Sequence, residues 1–341
     1  MTDPTFPIRC RNLWKIYGPG AAALAATPAP GPDPETLASR GLLAALRDVT
    51  LDIGKGEVFV IMGLSGSGKS TLVRCMTGLV PPTMGDLLID GENLRDMSPD
   101  RLIEIRRHKI SMVFQDFALL PHLTVLGNIA FPLKVQGIDR ESRERRAAEL
   151  VELVGLAGRE SHFPHELSGG QQQRVGIARS LITNPEIWFL DEPFSALDPL
   201  IRHEMQDELM RLQATLNKTV VFITHDFDEA IRIADRVAIM RGGRVVQVDT
   251  PEGLVLAPAD DYVAAFTRKI PRHRVLRVAS VLGPVSAGAT GDPVRNTALV
   301  GDVAARVLAT DAPLPVVDGG GAIVGSLDRQ SVIGTVFGVN A

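Results

Sequence analysis

The sequence predicts an α/β fold with a parallel sheet at its centre, a helix-rich stretch in its middle and a small α/β domain at its C-terminal end. Three observations predict the larger, N-terminal part. The apolar run Glu57-Val58-Phe59-Val60-Ile61-Met62 leads into Gly63-Leu64-Ser65-Gly66-Ser67-Gly68-Lys69-Ser70-Thr71 and an amphipathic run, Lys69 to Leu79. A second apolar run, Ile187-Trp188-Phe189-Leu190, ends in two carboxylates, Asp191 and Glu192. Between about Asn93 and Arg179 the β signal fades into helical periodicity, as in Asp100 to Arg107 and Arg140 to Val154.

Strand, glycine loop and helix, in that order, are the context a phosphate-binding loop requires. Glycines at 63, 66 and 68 let backbone N–H groups turn inward where a side chain would block an anion, and the helix start adds partial positive charge. Lys69 then reaches the β- and γ-phosphates of a nucleoside triphosphate. Ser70 offers a hydroxyl to Mg²⁺, which takes few protein ligands beside phosphate oxygens and waters. A glycine-rich turn without nucleotide is the bland alternative, and the flanking strand and helix argue against it. At the second strand end, neighbouring side chains point to opposite faces, so Asp191 and Glu192 take different jobs. Asp191 partners Mg²⁺, directly or from behind its ligands, and Glu192 polarises the attacking water as a general base.

A third segment, Leu167-Ser168-Gly169-Gly170-Gln171, would be surplus in a self-sufficient nucleotidase. Ser168 and two glycines before the helical run Gln171 to Thr183 form a second anion-binding helix start. The segment resembles the signature sequence of ATP-binding cassette (ABC) ATPases. With the loop and the strand-end carboxylates it implies an ABC-type P-loop ATPase with a helical subdomain, using ATP and Mg²⁺. The resemblance further implies a head-to-head homodimer, in which Leu167 to Gln171 of one chain close over the ATP held by Gly63 to Thr71 of the other.

Other positions match the family one by one. Tyr17 resembles the aromatic on which adenine stacks, although a strand-end core aromatic is its plain alternative. Gln115, after Val113-Phe114, resembles the glutamine that senses Mg²⁺ and connects to a transmembrane subunit. Asp198, in Ser195-Ala196-Leu197-Asp198, resembles the acidic member of the loop coupling the two nucleotide sites. His225, after Val220-Val221-Phe222-Ile223-Thr224, resembles the switch histidine on the γ-phosphate. The resemblance thus assigns catalysis to Glu192 and His225, and Mg²⁺ to Ser70, Gln115 and Asp191.

Composition bounds the partners. The 341 residues carry a net charge of −4 with both signs interspersed, which gives no footprint of a nucleic-acid surface. The two cysteines, Cys10 and Cys75, have neither metal-ligand nor redox spacing. No apolar stretch reaches the length of a membrane span, and no signal peptide is evident at the start, so membrane attachment is expected through a partner.

Along the chain, Gly18 to Pro34 reads as an Ala/Gly/Pro-rich loop followed by a short helix near Thr36 to Ala45, before a strand at Val49 to Ile53. The apolar-rich run Phe117 to Val125 is expected at the contact with a transmembrane subunit, with inter-subdomain packing as the alternative. The ATPase domain is expected over 1–270 and the small domain over 271–341. In the latter, Leu314 to Asp318 and Ala322 to Leu327 flank three glycines and give a β-hairpin signal. That part resembles one copy of a cystathionine-β-synthase (CBS) motif, although Asp328 and Ser331 depart from its ligand pattern.

The insertion after Tyr17, the run Asp198 to Leu209 and the CBS-like tail together resemble the ATPase of the glycine betaine/proline importer subfamily. This implies an importer of quaternary ammonium osmolytes, with trimethylamine N-oxide, carnitine or histidine as alternatives. It also implies a permease subunit, a separate periplasmic or extracellular substrate-binding protein, and a place at the cytoplasmic face of the inner membrane. A soluble ABC ATPase acting on ribosomes or DNA usually has tandem cassettes or a long coiled-coil insertion, neither of which is evident.

Overall fold

The computed structural model describes residues 5–26, 31–195, 197–268 and 270–337. Ala196 of the coupling segment and the end Gly338 to Ala341 lie outside them. The chain divides into two compact units, Met1–Val248 and Asp249–Ala341.

In the first unit, strands β1 (Ile8–Tyr17), β2 (Leu43–Ile53), β4 (Met84–Ile89) and β5 (Glu92–Asn93) form one sheet in the order β2-β1-β4-β5. The second sheet is formed by β3 (Val58–Met62), β6 (Ile110–Val113), β7 (Ile187–Asp191), β8 (Thr219–Thr224), β9 (Arg236–Arg241) and β10 (Arg244–Asp249), in the order β10-β9-β3-β8-β7-β6. From β9 to β6 every pairing is parallel. β3, β7 and β8 are buried at every residue, as a parallel sheet covered on both faces demands. Because these strands run one way, the segments leaving β3, β6, β7 and β8 emerge at one sheet edge, where open α/β sheets bind ligands.

Three local expectations change. The short helix is Pro34–Ser39, capped by Asp33, and β2 already begins at Leu43. Proline at the helix start and the Asp33 side chain on Thr36 N fix the early position. β6 lies inside the stretch read as helical; four residues are too few for a clear period, and its pairing with β7 decides it. The second unit begins at Asp249 rather than at 271, because the helix Pro251–Leu256 belongs with the tail. There Glu252 accepts from Arg277 N at 2.7 Å and from Ser280 Oγ.

The helical subdomain carries Val125–Val135, Arg140–Leu153 and Gly169–Leu181, with Thr124, Asp139 and Ser168 as N-caps. Asn128, fully buried, accepts from Leu120 N and donates to the carbonyls of Leu120 and Leu123, so it shapes the loop ahead of its own helix. The second unit has a sheet β11 (Val294–Arg295), β12 (Leu314–Val317) and β13 (Ile323–Leu327), with helices Val300–Leu308 and Arg329–Phe337. β12 and β13 form the antiparallel hairpin expected from the sequence. Asp328 caps the last helix through Ser331 N. Among the described residues no helix is long and apolar enough to cross a membrane.

Candidate nucleotide site

The loop after β3 is built around two close approaches. A Cβ at Gly63 would stand 2.3 Å from Met240 O, and one at Gly68 2.6 Å from Ala45 O; both residues have positive φ. Only glycine lets β9 and β2 press against the loop there. Leu64 to Thr71, Leu43 to Ala45, Arg47, Gln115, Glu192, His225, Gly242 and Gly243 line one cavity of about 850 Å³. That is room for a nucleotide.

Lys69, 6% exposed, donates through Nζ to Gly63 O at 2.8 Å and Leu64 O at 3.2 Å, which holds its ammonium against the loop. Burial pulls its pKa down, opposed by the charges of Glu192, whose Oε1 is 4.0 Å away, and Asp191. Ser67 lines the cavity with a buried hydroxyl that has no hydrogen-bond partner among the described residues. An inward loop with an orphaned hydroxyl and a buried cation fits a polyphosphate.

Asp191 ends β7 and accepts from Ser70 Oγ at 3.2 Å. Burial pushes its carboxyl up, and the neighbouring Glu192 charge adds to this, while the Ser70 hydrogen bond, Arg74 and Lys69 counter it. A buried anion beside a hydroxyl fits a divalent cation, and among the described residues no cluster of three His, Cys, Asp or Glu side chains forms a protein-only cage. Mg²⁺ that keeps waters and phosphate oxygens needs no such cage.

Glu192 departs from the strand alternation used to separate it from Asp191. β7 has already ended, and Glu192 sits in the left-handed region at φ 45°. Its N–H donates to Ile223 O at 3.1 Å and its carbonyl accepts from Ser195 Oγ at 3.0 Å. This turn, costing about 1–3 kcal/mol in a non-glycine residue, aims the carboxylate at the cavity, where Oε2 lies 3.1 Å from His225 Nδ1.

Gln115 is exposed on the turn after β6 and lines the cavity. Tyr17 is 41% exposed, which removes the core-aromatic reading. It pairs with Leu43, a lining residue, so it stands beside the cavity, with Lys15 Nζ 4.9 Å from its ring centre.

The Leu167 to Gln171 segment is not among the cavity's lining residues. Ser168 Oγ accepts from Gln171 N, and the Gln171 side chain accepts from Ser168 N, a reciprocal cap that fixes the helix start. A Cβ at Gly170 would lie 2.7 Å from Ile201 Cγ2, so this segment packs onto the helix Pro199–Leu216, capped by Asp198 through Ile201 N. Ser168 and Asp198 therefore belong to one packed cluster in the same chain.

Sequence reading missed four contributors. Arg47 enters the cavity from β2. Arg179 donates to Phe117 O at 2.9 Å and Ala118 O at 2.7 Å, pinning the loop after Gln115 to the helix that begins at Gly169. Arg202 and Glu229 support the His225 turn. A buried glutamate four residues after a histidine was the available signal for the last.

Comparison with known proteins adds four findings. A family profile described as ABC transporter matches residues 46–195. The chain is 56% identical over 328 residues, 96% of each sequence, to the trimethylamine N-oxide transport system ATP-binding protein TmoW of Ruegeria pomeroyi. It is 49% identical over 275 residues, 80% of this chain and 69% of the other, to the glycine betaine/proline betaine transport system ATP-binding protein ProV of Escherichia coli. Among solved structures, the dimeric ATP-binding cassette MJ0796 in a post-hydrolysis state with ADP and Pi superposes with a TM-score of 0.60 at 36% identity, covering 72% of this chain and 98% of that one.

Proposed function

The chain belongs to the ABC transporter ATP-binding family, and from that premise we propose that it powers an importer whose substrate is trimethylamine N-oxide. The observation that carries the substrate is coverage: the relative matched along 96% of both sequences is named as the ATP-binding protein of a trimethylamine N-oxide transport system, whereas the betaine relative matches over 80% of this chain. Glycine betaine is the second reading, favoured by the 49% identity to that relative over 275 residues.

In the proposed cycle, the Gly63–Thr71 loop cradles the ATP phosphates, Lys69 neutralises them, and Tyr17 stacks on adenine. Ser70, Gln115 and Asp191 would hold Mg²⁺, which would supply neutralisation of the phosphate charge. Glu192 draws a proton from the attacking water and His225 contacts the γ-phosphate. A second copy completes the site through Leu167 to Gln171, and Asp198 couples the two sites. Loss of the γ-phosphate removes the ligand between the halves, which then separate.

The permease docks on the helical subdomain. An apolar groove there, lined by Leu79, Phe114, Phe131, Pro132 and Val135, adjoins the Gln115 turn and supports that reading. The substrate-binding protein engages the permease, and this chain works at the cytoplasmic face of the membrane. The second unit serves as a CBS-like regulatory or dimerisation domain.

The test is uptake by the reconstituted importer in vesicles with internal ATP, comparing labelled trimethylamine N-oxide and glycine betaine. Uptake of the oxide, lost in a Glu192→Gln importer, supports the proposal. Uptake of betaine alone would transfer the assignment to the second reading.

A further inference from the structure

Glu229, only 6% exposed, sits on the helix Phe227–Ile233 that follows the His225 turn. Its carboxylate accepts from Thr224 Oγ1 and from Gln206 Nε2 at 3.2 Å, and Arg202 Nε lies 3.9 Å away. Thr224 Oγ1 also accepts from Asp226 N at 2.9 Å, so the residues on both sides of His225 are tied to one hydroxyl and one acid. Arg202 adds a second tie, with Nη1 at 3.5 Å from Asp226 Oδ2, and it reaches back through Nη2 to Leu197 O at 3.3 Å.

Arg202 and Gln206 stand one turn apart on the helix Pro199–Leu216. The first turn of that helix is capped by Asp198, and its Ile201 meets Gly170. One helix therefore touches the Ser168 segment at its start and grips the His225 turn one turn later. Stability alone is a poor reason for such an arrangement, because a buried ionic cluster is often matched or exceeded by apolar packing of the same volume. What it fixes is geometry: the hydroxyl, carboxylate and guanidinium leave the turn one arrangement.

We propose that Glu229 is a positioning residue for His225, acting through Thr224, and that Arg202 and Gln206 make this hold depend on the helix that begins at Asp198. The inference rests on the proposed roles of Glu192 and His225 at the γ-phosphate.

The test measures kcat and KM for ATP, with thermal melting, on the full-length chain carrying Glu229→Gln, Thr224→Val or Thr224→Ser, each alone and combined with His225→Ala. Residual turnover in the His225→Ala background is followed under single-turnover conditions. We expect Glu229→Gln and Thr224→Val to lower kcat about tenfold or more, as misplacement of a reacting group does, with KM for ATP within about twofold. Thr224→Ser, which keeps the hydroxyl, restores kcat. In the His225→Ala background neither substitution lowers turnover further, the non-additivity expected of residues acting as one unit. Thr224→Val preserves volume and carries the test if Glu229→Gln fails to fold. Losses that multiply in the His225→Ala background, with His225→Ala itself impaired, would overturn the inference alone. A His225→Ala enzyme with full turnover would overturn both the reading of the site and this inference.

Discussion

His225 Nδ1 lies 3.1 Å from Glu192 Oε2, although the two residues are 33 apart in sequence. They meet because β7 and β8 are parallel neighbours in register at Asp191 and Ile223, so the chain leaves both strands at the same level. The left-handed turn at Glu192 then directs its carboxylate into the cavity.

Glu192→Gln keeps the shape of that side chain and removes the carboxylate proposed as the base. Hydrolysis should fall about 10²–10⁴-fold, while ATP binding persists and the chain accumulates as a closed dimer. Phosphate release and gel filtration with saturating ATP and Mg²⁺ check this; a monomer under those conditions counts against the two-copy site.

Asp191 carries a carboxyl raised above the ordinary 3.8 by burial. The folded, nucleotide-free protein therefore binds this proton more tightly than the unfolded chain, and stability falls as pH rises from about 4 toward the folded value. Above that value the loss is complete. Asp191→Asn removes it, so at neutral pH the variant should melt higher than the parent, and the gap should close on acidification. Mg²⁺-dependent hydrolysis should be lost. A variant that melts lower at neutral pH would show that the attraction of Lys69 and Arg74 outweighs desolvation.

Gly170 lies in a helix, where alanine ordinarily gains about 1 kcal/mol over glycine. Here the added Cβ would stand 2.7 Å from Ile201 Cγ2. Gly170→Ala should therefore lower both stability to urea and ATPase activity, and adding Ile201→Ala, which removes that methyl, should recover part of each. No recovery in the double variant would detach the Ser168 segment from the helix Pro199–Leu216.

Arg179 holds two carbonyls of residues in the left-handed region, Phe117 at φ 59° and Ala118 at φ 46°. Burial lowers the guanidinium's pKa from its usual value. Arg179→Met should cost about 1.5–3 kcal/mol, the worth of charged hydrogen bonds, and speed amide exchange across residues 114–120. Unchanged exchange there would mean that the loop keeps its shape unaided.

Cys75 is pushed up to about 12 by burial, and Cys10 higher still. At pH 8 the Cys75 thiolate fraction is about one in ten thousand, and it is the thiolate that reacts. Native protein should resist alkylation at both positions until it unfolds, as peptide mass mapping would read. Rapid labelling of the folded chain would contradict the burial of both thiols.

Much of this was legible in the sequence because it is local. The glycines of the Gly63 to Gly68 loop, the capped start at Ser168 and the apolar runs of β3, β7 and β8 each carry their reason within ten residues. β6 was not legible, because four residues, Ile110 to Val113, show no period and become a strand only by pairing with β7. The early start of the second unit was hidden for a related reason: Glu252 reveals its allegiance only through Arg277 and Ser280.

A glycine-rich loop ahead of a helix, a strand-end acid pair and a second anion-binding helix start are written in the residue order, since each is a short-range pattern of backbone freedom and charge. Which of them share a cavity is settled by long-range packing. Parallel register delivers Glu192 to His225, and close approach of β9 and β2 makes Gly63 and Gly68 obligatory. The same folding leaves Leu167 to Gln171 outside the cavity and against the helix after Asp198, an outcome set by packing between distant segments that no local pattern encodes.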